Sequence, residues 1–300
     1  MNILFRADSS SSIGTGHIMR DLVLAKQYPN DNVIFATQKL DGNINHKVLE
    51  AGYSLEILES NNIKEFDTLI KKLNIDMIII DHYGIDYNFE KKLKVKNPKL
   101  KIFVLDDTYE KHYCDILLNN NIYGDEKRYK DLVPNHCELR CGANYILLRD
   151  EFLEYKKIPT SKDKFFTIFI AMGGTDIQNL NPKILKVLEN FDNIKVNLIS
   201  TNANQNTEEL KTYCKNKQWI NLCLNCNNVA KLMGESALAI ITPSVTANEV
   251  YFMGLPFIAI RVADNQNFMV EFCKENKIPV LEEFDKNMLK KEILKSFKRV

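Results

Sequence analysis

A chain of 300 residues that sets 40 basic side chains against 39 acidic ones, for a net charge of +1, offers no broad basic face to nucleic acid and no polybasic anchor to a membrane surface. No apolar run reaches membrane-spanning length, and seven cysteines, an odd number, suit reduced thiols better than a disulfide framework. The length is generous for one α/β unit and comfortable for two, so the expectation is a soluble, cytoplasmic, monomeric protein of two domains.

The opening apolar run, residues 2–5, reads as a β-strand rather than a secretory segment. It leads into FRADSSSSIGTGHIMR, where a serine run, two glycines and a histidine separate the strand from a helical pattern over 18–27. Gly14 and Gly16 let the backbone turn sharply and approach a ligand closely. The free N–H groups of the helix's first turn point back into the loop and attract anions or oxygen-rich groups. The loop matches neither the Walker pattern nor the dinucleotide fingerprint: no Lys-Ser or Lys-Thr follows the second glycine, and no acidic ribose ligand ends the strand NVIFAT. His17 opens the helix. A histidine there is ordinarily a capping or packing residue, and its functional alternative is a base facing the cavity.

Further strand signals fall at 33–36, 77–80 and 102–105, with helical patterns at 46–51, 63–73 and 87–95. This alternation predicts a parallel sheet covered by helices on both faces, with ligands beyond the carboxyl ends of the strands. Three polar groups belong on that rim: Arg6, Ala7 and Asp8; Asp81, His82, Tyr83 and Gly84; Asp106 and Asp107. The aspartates at 81, 106 and 107 could hold a metal, but capping helices and orienting loop backbone is the preferred reading. Tyr83 is a substrate-facing candidate, because a phenol can hydrogen-bond a sugar or a phosphate. His82 is a second candidate base. Residues 113–122 hold another apolar run, and residues 140–152 the last strand-like run of this half. The polar, lysine-rich stretch over 154–164 reads as a linker between domains at 1–153 and 165–300.

The second half restarts the pattern. Strands are expected at 165–171, 196–199, 220–224, 237–241 and 257–260, and helices at 180–188, 207–214, 229–233 and 287–297. The last helix has the option of packing back on the first domain. After the first of these strands come Gly173 and Gly174, whose N–H groups can meet a phosphate, then Thr175, Asp176 and Asn179. The strand at 237–241 opens onto TPSVTANE, where Ser244, Thr246 and Asn248 sit at a helix start and Glu249 lies one turn inside. A carboxylate there can accept both hydroxyls of a ribose. The competing reading is a charge stabilised by the helix dipole. Asn265 follows the strand at 257–260. A zinc site from Cys137, Cys141, Cys223 and Cys226 is outweighed by ordinary thiols, because the two pairs differ in spacing and lie in separate halves.

The early GTGH turn, the GG turn opening the second domain and the S-x-T-x-x-E segment resemble the muramyl-peptide N-acetylglucosaminyltransferase branch of the two-domain, metal-independent, GT-B-like enzymes. The longer runs LFRADSSSSIGTGHIMRDLVLAKQY, IIIDHYGID, CDILLNNNIY, LRCGANYILLRDEF and AMGGTDIQNL resemble the nucleotide-sugar hydrolases of pseudaminic acid biosynthesis. They cover nearly the whole chain, and no motif is recognised in about its last twenty residues. The resemblance implies two doubly wound domains facing a cleft, with UDP held by the second. It implies hydrolysis of a UDP-linked diacetamido-trideoxy-β-L-altropyranose with inversion, no cofactor and no metal, in the service of flagellin glycosylation. It further implies His17 as general base, with Tyr83 and Asn265 lining the sugar site. Arg6, Asp8, Gly14 and Gly16 are then placed around the His17 loop, and Asp8 is a candidate to orient the imidazole. The rival readings are a glycosyltransferase with the same UDP site, a UDP-sugar 2-epimerase, and a nucleotide-sugar sensor without turnover.

Overall fold

The computed structural model describes residues 1–156 and 165–297. The chain divides into two compact units, Met1–Leu148 and Arg149–Val300.

The first unit runs β1 (Asn2–Ala7), α1 (Gly16–Ala25), β2 (Asn32–Gln38), α2 (His46–Glu50), β3 (Ser54–Leu58), α3 (Ile63–Leu73), β4 (Met77–Asp81), α4 (Tyr87–Lys96), β5 (Lys101–Leu105), β6 (Ile116–Asn119) and β7 (Glu138–Cys141). Its described strands form one parallel sheet in the order β3-β2-β1-β4-β5-β6-β7. Successive strand residues face opposite sides, so each strand feeds two cores. Leu4, Ile34, Ile78, Ile80, Ile102 and Val104 pack on one face with Phe66 of α3 and Leu93 of α4. Ile3, Phe5, Phe35, Ile79 and Phe103 pack on the other with Ile18 and Leu24 of α1. This double covering is why residues 77–80 and 102–105 are unbroken apolar runs. Each such fully buried side chain contributes about 1.5–3 kcal/mol.

The second unit runs α5 (Asp150–Tyr155), β8 (Phe166–Ala171), α6 (Asn181–Leu188), β9 (Ile194–Ser200), α7 (Thr207–Cys214), β10 (Ile220–Leu224), α8 (Val229–Gly234), β11 (Leu238–Ile241), α9 (Val245–Met253), β12 (Phe257–Ile260), α10 (Asn267–Glu275), β13 (Val280–Leu281) and α11 (Lys286–Phe297). Its described strands pair in parallel in the order β10-β9-β8-β11-β12-β13. The last helix buries Leu289 and Ile293 in this unit's own core. Phe297 stacks on Phe166, with ring centroids 4.0 Å apart.

Two expectations are revised, and a third falls mostly outside the described residues. The boundary lies at 148/149, because α5 goes with the second unit: Phe152 is fully buried and Glu151 accepts from the Ala230 N–H at 3.3 Å. Of the linker expected over 154–164, residues 157–164 lie outside the described residues, and Glu154 and Tyr155 are helical. The strand at the end of the first half is Glu138–Cys141, ahead of the apolar Ile146-Leu147-Leu148 run, and edge strand β3 left no clear apolar signal. Among the described residues, no helix is long and apolar enough to cross a membrane.

Candidate active site

Strand order decides where each sheet can hold a ligand. In the first unit, β2 and β3 extend from one side of β1 and β4 to β7 from the other. The loops after β1 and β4 therefore part at the carboxyl edge, and such a switch point is where doubly wound sheets bind ligands. Ala7 pairs in register with Asp81, so the end of β4 stands beside the start of the glycine loop. Gly14 has a φ of +85°, a left-handed conformation that glycine adopts without strain. Helix α1 begins at Gly16 with no side chain capping its first turn.

His17 is buried at this point, 8% exposed, and its Nδ1 lies 2.7 Å from Asp81 Oδ1. Burial opposes ionisation of Asp81, but Arg20 and His17 outweigh it and hold the carboxyl well below the usual range. An ionised carboxylate only accepts, so Nδ1 carries the hydrogen, and Nε2 has the lone pair in the neutral ring; Arg20 Nη2 also stands 3.1 Å from Nδ1. No described residue takes that Nε2. Arg20, one turn along α1, donates from Nε to Asp81 Oδ2 at 2.5 Å, from Nη2 to Asp81 Oδ1, and from Nη1 to Asp107 Oδ2 at 3.1 Å. Tyr83 donates its hydroxyl to Asp107 Oδ1 at 2.9 Å, and its ring meets the His17 ring edge-on, centroids 5.0 Å apart. Tyr83 is 67% exposed, so the cluster is anchored inside and open at one rim.

Several expected roles change. Arg6 and Asp8 are 0% and 1% exposed and bind each other through two 2.6 Å contacts. Arg6 also donates to Asn61, and Asp8 accepts from the Gln38 N–H and pairs with His82 Nε2 at 3.1 Å. Neither side chain reaches the surface; together they brace the end of β1. Asp8 therefore orients His82, while Asp81 orients His17. His82 has both nitrogens engaged, since Nδ1 accepts from the Gly84 N–H at 2.8 Å, and it recedes as a base. Asp106 caps its own turn, accepting from Thr108 and the Tyr109 N–H. Among the described residues, no three His, Cys, Asp or Glu side chains converge as metal ligands, and all seven cysteines are free thiols.

The second unit repeats the geometry. Its switch point lies between β8 and β11, where Ala171 pairs with Ile241. The glycine loop after β8 therefore adjoins the start of α9. Gly173 has a φ of +79° and open space where a Cβ would stand. Thr201, at the end of β9, donates to the Gly174 carbonyl at 2.7 Å and fixes the loop. Helix α9 begins after Ser244 with no side-chain cap, leaving the N–H groups of its first turn to a ligand. Thr242 and Ser244 share a hydroxyl contact at 3.0 Å. A cavity of about 140 Å³ is lined by Phe169, Gly173, Gly174, Thr201, Thr246 and Glu249, among others. Arg149 lies 3.4 Å from Glu249 and 2.7 Å from Glu151. Burial lifts the Glu249 carboxyl to about 7, with Arg149 pulling it down and Glu151 pushing it up.

Here too, two expected ligand contacts turn inward. Asp176 is 2% exposed, and its two oxygens accept from the N–H groups of Leu180 and Asn181, so it caps α6. Asn248 is 2% exposed, on the face that α9 turns toward the sheet with Ala247 and Val250. Thr175 is exposed and Asn179 half-buried on the same loop, and Asn265 is exposed in the turn before α10. Sequence reasoning gave no role to Arg20, Arg149 or Thr201. Arg20 was within reach of it, being three residues from His17 on one helix face.

No protein-family model matches the chain. Over 267 residues it is 42% identical to the UDP-2,4-diacetamido-2,4,6-trideoxy-beta-L-altropyranose hydrolase of Campylobacter jejuni, across 89% of this chain and 93% of that one. It is 31% identical to an uncharacterised protein of Methanocaldococcus jannaschii, across 97% of this chain and 61% of that longer one. Among solved structures it is similar to MurG of Acinetobacter baumannii, with a TM-score of 0.68 at 12% identity, covering 99% of this chain and 91% of that one. That likeness speaks to fold alone: the two parallel sheets are GT-B-like.

Proposed function

The chain belongs to the family of the UDP-2,4-diacetamido-2,4,6-trideoxy-beta-L-altropyranose hydrolase, and from that premise we propose that it hydrolyses this UDP-sugar to UDP and the free sugar, by attack of water at the anomeric carbon. The first unit supplies the base and the Tyr83 contact to the sugar, and the second supplies Asn265 and holds UDP. The observation that carries the reading is the His17–Asp81 pair: a buried carboxylate fixes Nδ1–H at 2.7 Å and leaves the Nε2 lone pair for a water proton.

UDP is a good leaving group already, so the protein's task at that end is to steady charge on the diphosphate. The N–H groups of the Gly173-Gly174 loop and of the first turn of α9 supply that stabilisation, and the reading asks no metal of the site. Thr175, Asn179, Ser244 and Thr246 add polar groups to the same rim. Glu249 accepts the ribose hydroxyls, and Arg149 keeps its closer partner Glu151. Tyr83 and Asn265 orient the sugar. Attack from the face opposite UDP inverts the anomeric centre, and the product enters pseudaminic acid biosynthesis.

The test is UDP release in ¹⁸O-labelled water, with EDTA and without an acceptor. Label in the free sugar supports attack at the anomeric carbon; label in UDP places the attack at phosphorus and removes the role given to His17. UDP binding without release moves the assignment to a glycosyltransferase.

A further inference from the structure

Asp21 stands one turn after His17 on α1, on the same side of the helix. It is fully buried, and neither carboxyl oxygen has a hydrogen-bond donor in reach. An ionised carboxylate there gives up its hydration and receives nothing in exchange. Its neighbours deepen the problem. Asp81, at the end of β4, is held by the residues one turn and one position before Asp21 on α1, since it already serves both His17 and Arg20. Arg20 is the cation beside them, and its donors go to Asp81 and Asp107.

We propose that Asp21 is a neutral positioning acid: its carboxyl keeps its proton and offers it to Asp81, so that the two adjacent carboxyls carry one negative charge. The inference rests on the reading of His17 as base. One shared charge lets Asp81 hold Nδ1–H firmly while His17 still takes and releases a proton. Burial and the nearby Asp81 both push the Asp21 carboxyl well above its ordinary range, and Arg20 only partly opposes them.

The decisive measurement is the infrared spectrum of the ligand-free full chain near neutral pH, wild type minus Asp21→Asn. A protonated carboxylic acid carbonyl band lost in the variant is the expected result, and its absence overturns the proposal whatever His17 does. Steady-state UDP release completes the test. Asp21→Leu, which fills the space but cannot donate, is expected to lower kcat about tenfold or more with KM unchanged. Asp21→Asn, neutral and able to donate to Asp81, is expected to recover most of that loss. An Asn variant as impaired as the Leu variant overturns the proposal. The band with an active His17→Gln protein instead overturns the base assignment and leaves Asp21 neutral.

Discussion

His17 has no special chemistry until its neighbours are fixed. In the proposed reading Asp81 makes it a base, holding Nδ1 at 2.7 Å, and Arg20 keeps Asp81 ionised. Replacing His17 by Gln keeps a polar side chain of similar reach but removes the proton acceptor. UDP release is expected to fall about 10²–10⁴-fold, with circular dichroism and the urea midpoint near wild type. Glu249, the proposed ribose ligand, shows the opposite balance, a carboxyl held at a cost to the fold. Folding lifts its carboxyl from an ordinary value of 4.5 to about 7, so folding takes up a proton between those values. The stability charged to Glu249 is therefore lost as pH rises from 4.5 to about 7, with little further change above. Glu249→Gln is expected to stabilise the ligand-free protein at pH 8 by up to about 3 kcal/mol and far less at pH 5. Arg149 keeps Glu151 in the variant, so no cation is stranded. The same change is expected to weaken UDP binding roughly tenfold to a hundredfold, read by calorimetry.

At the scale of elements, both proposed binding loops depend on how a helix begins. Helices α1 and α9 leave their first turns without side-chain caps, whereas α3 and α4 are capped by Asn62 and Asp86. Other helices also start without a side-chain cap, and α1 and α9 are the ones that start at the two switch points, where a ligand can take the free N–H groups. Asp176 does its work on the adjoining helix, since its carboxyl closes the glycine loop onto the N–H groups of Leu180 and Asn181. Asp176→Ala is expected to cost about 1–2 kcal/mol in urea unfolding and to weaken UDP binding through a looser Gly173-Gly174 turn. Unchanged UDP affinity would show that the turn needs no such brace. Strand legibility follows covering: MIIID is buried on both faces and plain in sequence, whereas SLEIL is an edge strand with Ile57 48% exposed.

Across the whole molecule, each unit carries its own core, so a ligand held by one unit stabilises that unit first. UDP at about a hundred times its dissociation constant is expected to add about 2.7 kcal/mol to the second unit. Hydrogen exchange should locate the protection at the loops after β8 and β11 and at the start of α9. Protection centred on the His17 loop instead would reverse the roles proposed for the two units.

What the sequence determined by itself was local. Apolar runs and helical spacing gave the alternation of strands and helices, and from it came the parallel sheets and the functional rim at their carboxyl ends. Gly14, Gly173 and the S-x-T-x-x-E segment were legible because the turn or helix start is written in adjacent residues. The partners of those groups were not legible. His17 meets Asp81 across 64 positions, and Asp8, nearer in sequence, goes instead to Arg6 and to His82. Burial of Asp176 and Asn248, and the isolation of Asp21, are also invisible in a string of polar letters. Only the tertiary structure decided them, because strand order sets which loop ends become neighbours and helix packing sets which polar side chains lose water.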